Sequence, residues 1–387
     1  MTYVRYWGSH FKHPRTCHLL RATMRSVRQA GWKSYLVCSR PPDDPRLAEE
    51  IFGAGTEIVY LPRPRRNFDP ACVWRAYRLF RRLNCTVMHC DNMHTSPLIG
   101  AALAGVPVRL WSKRSMNPVY ETMRKPTLRD RIAISLRVSC WLATRVLAVS
   151  TAVKEELIEL GIPTGKLAVL PNPAEIERLS EETRRQVRTE LGYGDDEVVF
   201  TTIGHAVPVK GWDVLLQSFA QVAKHYPRAR LQFVGSITGA REREYYQCLN
   251  ASIRTWGLAD RVRFLGDQPD IRVPLAAADV FILPSRSEGN SNALTEAMMF
   301  GLPCIATKVG AAADVIAHGE NGWLVERNDA EELRDAMLSL ARDQGLRQRI
   351  VSTVLAQGRC APTFSEYSDQ FVQICREQLD ANSTRKA

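Results

Sequence analysis

Short apolar runs alternate with longer amphipathic stretches along most of the chain. Runs such as 33–38, 57–61 and 280–283 have the length and the β-branched and aromatic content of buried strands. Several of the stretches between such runs carry apolar residues at helical spacing and end at a glycine, which is a common helix stop. Because the connections are short, this alternation predicts an α/β protein built on parallel sheets.

The alternation occurs twice, with an interruption in between. The predicted strands of the first series are 3–7, 33–38, 57–61, 86–89, 106–111 and 146–149. Those of the second series are 197–203, 230–234, 262–265, 280–283, 303–306 and 323–325. Helices are predicted in the second half over 212–225, 241–256, 271–277, 292–300, 311–318, 330–342 and 364–379. Residues 162–196 break the pattern, with prolines at 171 and 173 and a strongly charged stretch over 175–190, and this region is predicted to be the inter-domain linker.

The predicted fold class is therefore α/β, with two Rossmann-like domains that face a central cleft. The N-terminal domain would cover 1–172 and the C-terminal domain 173–362. Residues 363–387 would form a helix that returns to the N-terminal domain, followed by a polar tail.

Positive charge is concentrated in the first half of the chain. Residues 1–150 hold 25 Lys and Arg against 9 Asp and Glu, whereas the rest of the chain holds 27 against 32. Part of the excess lies in and before a predicted amphipathic helix with an arginine face, which Trp74 precedes: Arg63, Arg65, Arg66, Arg75, Arg78, Arg81 and Arg82. This pattern favours an anionic membrane surface as a partner, with an ordinary packed surface helix as the alternative. No nucleic-acid recognition motif is present, so we expect no nucleic-acid partner.

The sequence carries no pattern typical of a secreted or membrane-spanning protein. Its first seven residues lack the basic and apolar regions of a signal peptide, and no apolar run reaches the ~18 residues of a membrane span. The ten cysteines include no C-x-x-C pair. We therefore expect a cytoplasmic protein in a reducing compartment, either fully soluble or peripheral on the inner face of the membrane.

One loop combines two carboxylates with a strand–loop–helix arrangement. The apolar run 280–283 leads into a loop of small polar residues, and a helix begins near Ser291, which can serve as its N-cap. Glu288 precedes this helix and Glu296 lies within it. Helix N-termini favour phosphate, and carboxylates can accept hydrogen bonds from sugar hydroxyls. Taken singly, each glutamate is more simply a dipole partner or a solvated side chain, but together at the carboxyl edge of a sheet they indicate a ligand site.

A second loop follows the predicted strand 197–203. It runs from Gly204 through Lys210 into a helix that starts near Gly211, so the lysine can meet a phosphate as a point charge. A lysine before a helix is usually just exposed, and this loop alone would be weak evidence for a site.

Several motifs are absent from the sequence. There is no G-x-x-x-x-G-K-[ST], and no complete G-x-G-x-x-G joins a strand to a helix, which argues against a P-loop ATPase and a nicotinamide dehydrogenase. There is no G-x-S-x-G elbow of an acyl-transfer enzyme. There is also no D-x-D and no His, Cys and Asp cluster with metal-ligand spacing, so we expect neither an obligatory metal nor a cofactor.

In their order along the chain, these motifs resemble the C-terminal domain of family 4 retaining glycosyltransferases, which have the two-lobed GT-B fold. Gly204 through Lys210-Gly211 is similar to the family's phosphate loop, and Glu288-Gly-Asn-Ser-Asn-Ala-Leu-Thr-Glu296 matches its E-x7-E signature. Residues 301–310 and 319–325 resemble the strand and loop that follow, and 146–173 also fit. The first hundred residues resemble the family only in layout.

The resemblance implies a role for each matching position. Lys210 would contact the donor diphosphate, and the amides near 290–291 would hold its distal phosphate. Glu296 would bind the ribose, Glu288 the transferred sugar, and Gly266 would lie near the base. The implied catalytic residues are Glu288 and Lys210, and the implied donor-binding residues are Glu296, Gly289, Asn290, Ser291, Asn292, His205 and Gly266. The reaction would retain the anomeric configuration, with the donor phosphate taking the acceptor's proton.

The chain departs from the family pattern at three places. His205 stands where an arginine is usual, either as a protonated group or as a neutral hydrogen-bonding one. The glycine-rich first loop is reduced to Gly8-Ser9-His10. Arg114 stands near the position of a histidine often found after the fifth strand, and it either donates to the sugar or phosphate or forms an exposed basic pair with Lys113. Gly8, His10 and Arg114 are the acceptor-side candidates.

We therefore expect a retaining, metal-independent glycosyltransferase of polysaccharide or glycoconjugate biosynthesis. It would move a hexose or N-acetylhexosamine from a nucleotide-diphosphate sugar to a glycan or lipid-linked acceptor. The N-terminal domain would bind the acceptor and the C-terminal domain the donor. Two alternatives remain: a sugar-nucleotide epimerase of the same architecture, and a non-catalytic protein that binds a nucleotide-sugar or a glycan.

Overall fold

A computed structural model describes residues 1–7, 18–40, 56–65, 68–91, 95–116 and 131–384. The chain divides into two compact units. The first unit consists of residues 1–173 together with 362–387, and the second consists of residues 174–361. Each unit is built on one parallel sheet with helices between successive strands.

Strands and helices alternate through the described part of the first unit. Its strands are β1 (Thr2–Tyr6), β2 (Lys33–Cys38), β3 (Thr56–Tyr60), β4 (Val87–Cys90), β5 (Val108–Lys113), β6 (Arg145–Ala148) and β7 (Leu167–Val169). Its helices before residue 174 are α1 (His18–Gln29), α2 (Pro70–Arg82), α3 (Ser96–Leu103), α4 (Arg131–Leu142) and α5 (Thr151–Glu159), with a 3-10 turn at Thr164–Lys166.

The second unit repeats the alternation. Its strands are β8 (Val198–Ile203), β9 (Ala229–Val234), β10 (Val262–Gly266), β11 (Val280–Leu283), β12 (Cys304–Thr307) and β13 (Trp323–Val325). Its helices are α6 (Glu181–Glu190), α7 (Trp212–His225), α8 (Ala240–Thr255), α9 (Arg272–Ala277), α10 (Asn292–Met299), α11 (Ala312–Val315), α12 (Ala330–Arg342) and α13 (Gln344–Gln357), with a 3-10 turn at Pro208–Lys210. The last helix, α14 (Phe364–Thr384), belongs to the first unit.

Both sheets have the strand order of a Rossmann fold. The first is β3-β2-β1-β4-β5-β6-β7 and the second is β10-β9-β8-β11-β12-β13. The order therefore reverses between β1 and β4 in the first sheet and between β8 and β11 in the second. Ligands of open parallel sheets bind outside the carboxyl ends of the strands at such a switch point. The prediction of two Rossmann-like domains is confirmed, and the two loops that the sequence singled out follow β8 and β11.

The core accounts for the apolar runs of the sequence. Strands covered by helices on both faces need apolar residues at successive positions, and β11 is buried at all four of its residues. In the first unit, α14 supplies part of the cover. Its Tyr367 and Phe371 pack in one cluster with Leu20 and Met24 of α1. The C-terminal end of the chain therefore contributes to the core of the first unit.

Two helices of the second unit lie where the sequence predicts none. Helix α6 falls inside the predicted linker, although arginine side chains anchor it to the second unit. Arg184 donates to the carbonyl oxygens of Ala276 and Ala278 at 2.6 and 2.7 Å, and both Arg184 and Arg188 bond the carboxylate of Asp279. The boundary between the two units, after residue 173, lies within the predicted linker region, but residues 181–190 of that region form a helix of the second unit. Helix α13 has little apolar pattern to reveal it, because Ile350 and Val354 are its only buried residues.

Candidate active site

The loop after β8 is shaped by glycines that leave no room for a side chain. Gly211 precedes α7 with a φ of 63°, and a Cβ there would lie 2.0 Å from the carbonyl oxygen of Pro284. A Cβ on Gly235, at the end of β9, would lie 1.7 Å from the carbonyl oxygen of Gly204. The amide of Gly235 also donates to the carbonyl of Gly266 at 2.7 Å. Gly204, Gly235 and Gly266 therefore form a row without side chains along the carboxyl ends of β8, β9 and β10, which lets a ligand approach the backbone.

The loop after β11 is fixed by hydrogen bonds from the end of β12, from the segment after β12 and within the loop itself. Thr307 donates its hydroxyl to the carbonyl of Ser285 at 2.6 Å, and the amide of Ala311 donates to the carbonyl of Gly289 at 3.0 Å. Ser291 is the N-cap of α10, since its hydroxyl accepts from the amide of Leu294. The predicted helix start is therefore confirmed, and the first-turn amides lie at the switch point, where a helix N-terminus suits an anion.

Lys210 and Glu288, the two predicted catalytic residues, meet in the structure. The Nζ of Lys210 lies 2.6 Å from Oε1 of Glu288, which also accepts a 2.8 Å bond from the hydroxyl of Ser285. The side chains are 24% and 11% exposed, so the pair can be reached by a ligand yet is largely screened from water. The stem of Lys210 lies over Gly204, where a Cβ would come within 3.3 Å of it. One cation and one carboxylate are thus brought together from two loops 78 residues apart.

The other predicted donor-side residues lie at the ends of β8 and β10 and in the loop and helix after β11, with different exposures. Gly289 and Ser291 are buried, Asn290, Glu296 and Gly266 are partly buried, and His205 and Asn292 are exposed. His205 follows Gly204 directly, at the carboxyl end of β8. Glu296 lies on α10, one turn beyond its start.

Two charged residues beside this pair were not singled out by the sequence. Arg286 follows Ser285, and Asp213 stands in the first turn of α7. Their side chains form an ion pair in which Nη2 of Arg286 lies 2.7 Å from Oδ2 of Asp213. The only sequence signal would have been their position in the same two loops, since an arginine in a loop and an acid in a first helical turn are ordinary surface residues.

The switch point of the first sheet holds a buried charged network. Asp91 follows β4 and accepts bonds from Arg5 at 2.5 Å and from Arg114 at 2.7 Å. Burial raises the pKa of Asp91, but the charges of Arg114 and Arg5 outweigh burial and hold this pKa well below its usual value. Asp91 is therefore a permanent anion that fixes Arg114 at the end of β5.

The acceptor-side predictions meet the structure only in part. Lys113 is 4% exposed, so the alternative of an exposed basic pair with Arg114 is wrong. Gly8 and His10 lie outside the described residues. Among the residues that the structure describes, no group of three or more His, Cys, Asp or Glu side chains could hold a metal ion.

Two family models match the chain, one in each half. The model described as Glycosyltransferase Family 4 matches residues 19–178, and the model described as Glycosyl transferases group 1 matches residues 183–354.

Curated relatives include enzymes with different named products. The N-acetyl-alpha-D-glucosaminyl L-malate synthase of Bacillus anthracis is 29% identical over 60% of this chain and 60% of its own length. The UDP-Gal:alpha-D-GlcNAc-diphosphoundecaprenol alpha-1,3-galactosyltransferase of Escherichia coli is 27% identical over 74% of this chain and 75% of its own. Several other relatives are matched over about half of their own length. The match to a D-inositol 3-phosphate glycosyltransferase of Nocardia farcinica, for example, covers 47% of that enzyme.

Solved structures share the fold over nearly the whole chain. HepE of Anabaena in complex with UDP has a TM-score of 0.79 at 19% identity, covering 97% of this chain and 100% of that one. The sucrose-phosphate synthase of Thermosynechococcus elongatus has a TM-score of 0.77 at 19% identity, covering 98% and 100%. Since family models match both halves and the structural neighbours share the GT-B architecture, this protein belongs to family 4 of the glycosyltransferases.

Proposed function

We propose that this chain transfers a sugar from a nucleoside diphosphate donor to a glycan or lipid-linked acceptor with retention of configuration. The observation that carries the proposal is the meeting of Lys210 and Glu288 at the switch point of the second sheet. A cation for a diphosphate and a carboxylate for sugar hydroxyls are what a nucleotide-sugar requires at adjacent positions. The relatives named above support a UDP-sugar as donor, since UDP-Gal appears in the galactosyltransferase's name and UDP is bound in HepE.

The proposed chemistry divides the work between the two loops. Lys210 and the first-turn amides of α10 stabilise the negative charge that builds up on the diphosphate as the bond to the anomeric carbon breaks. Glu288 accepts hydrogen bonds from the sugar and orients it, and Glu296 accepts them from the ribose. The acceptor oxygen attacks on the face that the diphosphate leaves, and its proton passes to a phosphate oxygen. Because the protein supplies this charge, we expect transfer to persist in EDTA.

A panel of nucleotide-sugars in a thermal-shift assay tests the donor, because a bound ligand stabilises the folded state by mass action. Glu288→Gln then tests the site. This substitution keeps the shape of the side chain but replaces the carboxylate that accepts the sugar's hydrogen bonds with a neutral amide. We expect acceptor-dependent nucleotide release to fall by roughly 10- to 100-fold. Undiminished release would show that Glu288 has no part in the mechanism.

Incubating the donor without an acceptor separates a transferase from an epimerase, since an epimerase would isomerise the free donor and a transferase would not.

We also propose that the first unit meets an anionic membrane surface through α2 and α3. An open groove of about 500 Å³ lies between these helices. Seven of its eight lining residues are apolar or aromatic: Phe68, Pro70, Val73, Trp74, Tyr77, Ile99 and Leu103. Trp74 is 57% and Leu103 66% exposed, which is unusual for large apolar side chains in water.

Exposed arginines lie on α2 and in the segment that precedes it. The guanidinium of Arg78 lies 4.7 Å from the ring centroid of Trp74, and Arg63, Arg65, Arg81 and Arg82 are also exposed. Exposed aromatic rings close to exposed arginines in the sequence suit the interface of an anionic bilayer. None of the described helices is long and apolar enough to cross a membrane.

Vesicle sedimentation tests the membrane proposal. We expect binding to vesicles that contain an anionic lipid and little binding to neutral ones. The double variant Trp74→Ala/Leu103→Ala should lose most of this binding, whereas Trp256→Ala, which removes an exposed tryptophan of the second unit, should keep it. Equal binding to neutral vesicles, or no binding to either kind, would contradict the proposal.

A further inference from the structure

Arg286 bonds the loop after β8 at several points while its own backbone belongs to the loop after β11. Its Nη1 and Nη2 lie 2.8 and 2.7 Å from the two carboxylate oxygens of Asp213. Nη1 also donates to the carbonyl of Pro208, and the backbone amide of Arg286 donates to the carbonyl of Val209 at 2.8 Å. Nε donates to the side-chain oxygen of Asn328 at 2.7 Å. One side chain therefore connects three segments of the second unit.

Asp213 is itself held in place from a third direction. The hydroxyl of Tyr245, on α8, donates to Oδ1 of Asp213 at 2.5 Å and accepts from the backbone amide of Asp213 at 2.9 Å. Burial raises the pKa of Asp213, but the bonds from Arg286 and Tyr245 outweigh burial and lower this pKa. The hydrogen bond between Arg286 and Asp213 raises the pKa of Arg286. The pair therefore stays charged at any pH at which the protein would be assayed.

The contacts of Arg286 lie directly beside the two residues assigned to the donor. Pro208 and Val209 immediately precede Lys210, and Arg286 stands two residues before Glu288. Fixing 208–209 against the loop after β11 therefore sets how far the Nζ of Lys210 lies from the carboxylate of Glu288. A planar guanidinium bound through both nitrogens defines direction as well as distance, which a flexible ammonium does not.

We propose that Arg286 and Asp213 are positioning residues that hold Lys210 at the donor diphosphate and beside Glu288. They act through the two loops and touch no substrate. The inference rests on the proposed function in so far as Lys210 meets the diphosphate. The competing interpretation is an ion pair that contributes to stability alone, and a coupling experiment separates the two.

The first experiment needs no nucleotide. An amine-reactive acylating reagent is applied to the folded protein, and the labelling of Lys210 is followed by peptide mass spectrometry. Glu288→Gln should raise the labelling rate of Lys210, because the ion pair that protects the amine is lost. Arg286→Met should raise it by a similar factor through misplacement of the loop. Exposed Lys224 serves as the internal standard, and its rate should stay constant in all variants.

Arg228→Met is the matched control for this experiment. Arg228 also pairs with an aspartate of the second unit, Asp196, at 3.2 Å, but this pair is exposed and its partners lie in neither donor loop. Lys210 labelling should remain at the wild-type rate in this variant. A wild-type rate of Lys210 labelling in Arg286→Met would overturn the inference whether or not the protein binds a nucleotide.

The second experiment is a double-mutant cycle on UDP affinity, measured by calorimetry. Lys210→Met should weaken binding at least tenfold and Arg286→Met several-fold, while Lys210→Met/Arg286→Met should bind no more weakly than Lys210→Met alone. Arg286→Lys should not restore binding, because lysine cannot make the two-nitrogen contact. Additive losses in the cycle, or unchanged UDP affinity in an Arg286→Met protein that merely melts earlier, would reduce the pair to a structural role. Absence of UDP binding by the wild type would count against the proposed donor, and the labelling result would still decide the inference.

Discussion

His89 is a fully buried imidazole in β4. It lies 3.0 Å from the hydroxyl of Tyr3 and 2.7 Å from that of Ser112. Burial lowers the pKa of His89 well below its usual value, and the nearby charge of Arg5 lowers it further. The unfolded chain binds a proton as the pH falls through about 6.5, whereas the folded chain does not. Folding should therefore lose stability as the pH drops through this range.

His89→Gln should flatten this dependence while lowering stability overall. Between about pH 7.5 and 5.5, the wild type should lose about 1 kcal/mol more of its unfolding free energy than the variant loses. Urea unfolding curves at the two pH values measure the difference. The same loss in both proteins would mean that His89 titrates normally in the folded state.

Residue types and their places along the chain are enough to propose part of the candidate site. Lys210 and Glu288 stand out in the sequence because each lies in a loop at a strand's carboxyl end. Their direct contact, and the Arg286–Asp213 pair beside it, could not be predicted because both depend on β8 and β11 being neighbours. That adjacency is a property of the sheet order and leaves no local trace in either loop. Asp91 has no sequence signal for the same reason, since its partners Arg5 and Arg114 come from β1 and from the end of β5.

Elements with a strong hydrophobic pattern are predicted well, and elements held by polar contacts are not. The six predicted strands of the second unit correspond to β8–β13, because buried parallel strands must be apolar throughout. Helix α6 is mostly polar and is anchored by arginine bonds to backbone carbonyls, which no periodicity reveals. The predicted helix over 311–318 is the short α11, four residues long.

The strand–loop–helix element after β8 gives a prediction about a single glycine. Gly211→Ala should destabilise the second unit, because it adds a Cβ 2.0 Å from the carbonyl oxygen of Pro284 at a φ of 63°. Gly257→Ala is the matched control, since its φ of 66° gives the same backbone strain but nothing lies within 4 Å of the added atom. The control should cost about 1–2 kcal/mol of unfolding free energy, and Gly211→Ala a further 1–3 kcal/mol. Urea unfolding measures both, and equal costs would show that the approach to Pro284 is not close.

At the scale of the whole molecule, one sheet topology occurs twice with opposite charge character. The first half of the chain carries a large excess of Lys and Arg, and the remainder carries a small excess of Asp and Glu. The switch point of the first sheet holds the Arg5–Asp91–Arg114 network, and that of the second holds the Lys210–Glu288 pair. On this basis we propose an acceptor site in the first unit and a donor site in the second.

The charge distribution makes the proposed membrane binding dependent on salt. Raising NaCl from about 0.05 to about 0.5 M shortens the screening length to a few ångströms and should release most of the protein from anionic vesicles. The fraction that remains should depend on Trp74 and Leu103, whose contribution is apolar. Sedimentation at both salt concentrations measures the electrostatic and the apolar contributions to binding. Binding that does not change with salt would show that the arginines do not contribute.

The proposed donor site at the switch point of the second sheet is tested most directly by calorimetry with nucleoside diphosphates. UDP, GDP and ADP are titrated into the wild type, into Lys210→Met and into Lys224→Met, which removes an exposed lysine of α7 in the same unit. We expect one diphosphate to bind the wild type and Lys224→Met equally. Its affinity for Lys210→Met should be at least tenfold lower, a loss of about 1.4 kcal/mol or more. If the wild type binds none of the three, or if Lys210→Met binds as tightly as the wild type, the assignment of this site to the donor diphosphate is contradicted.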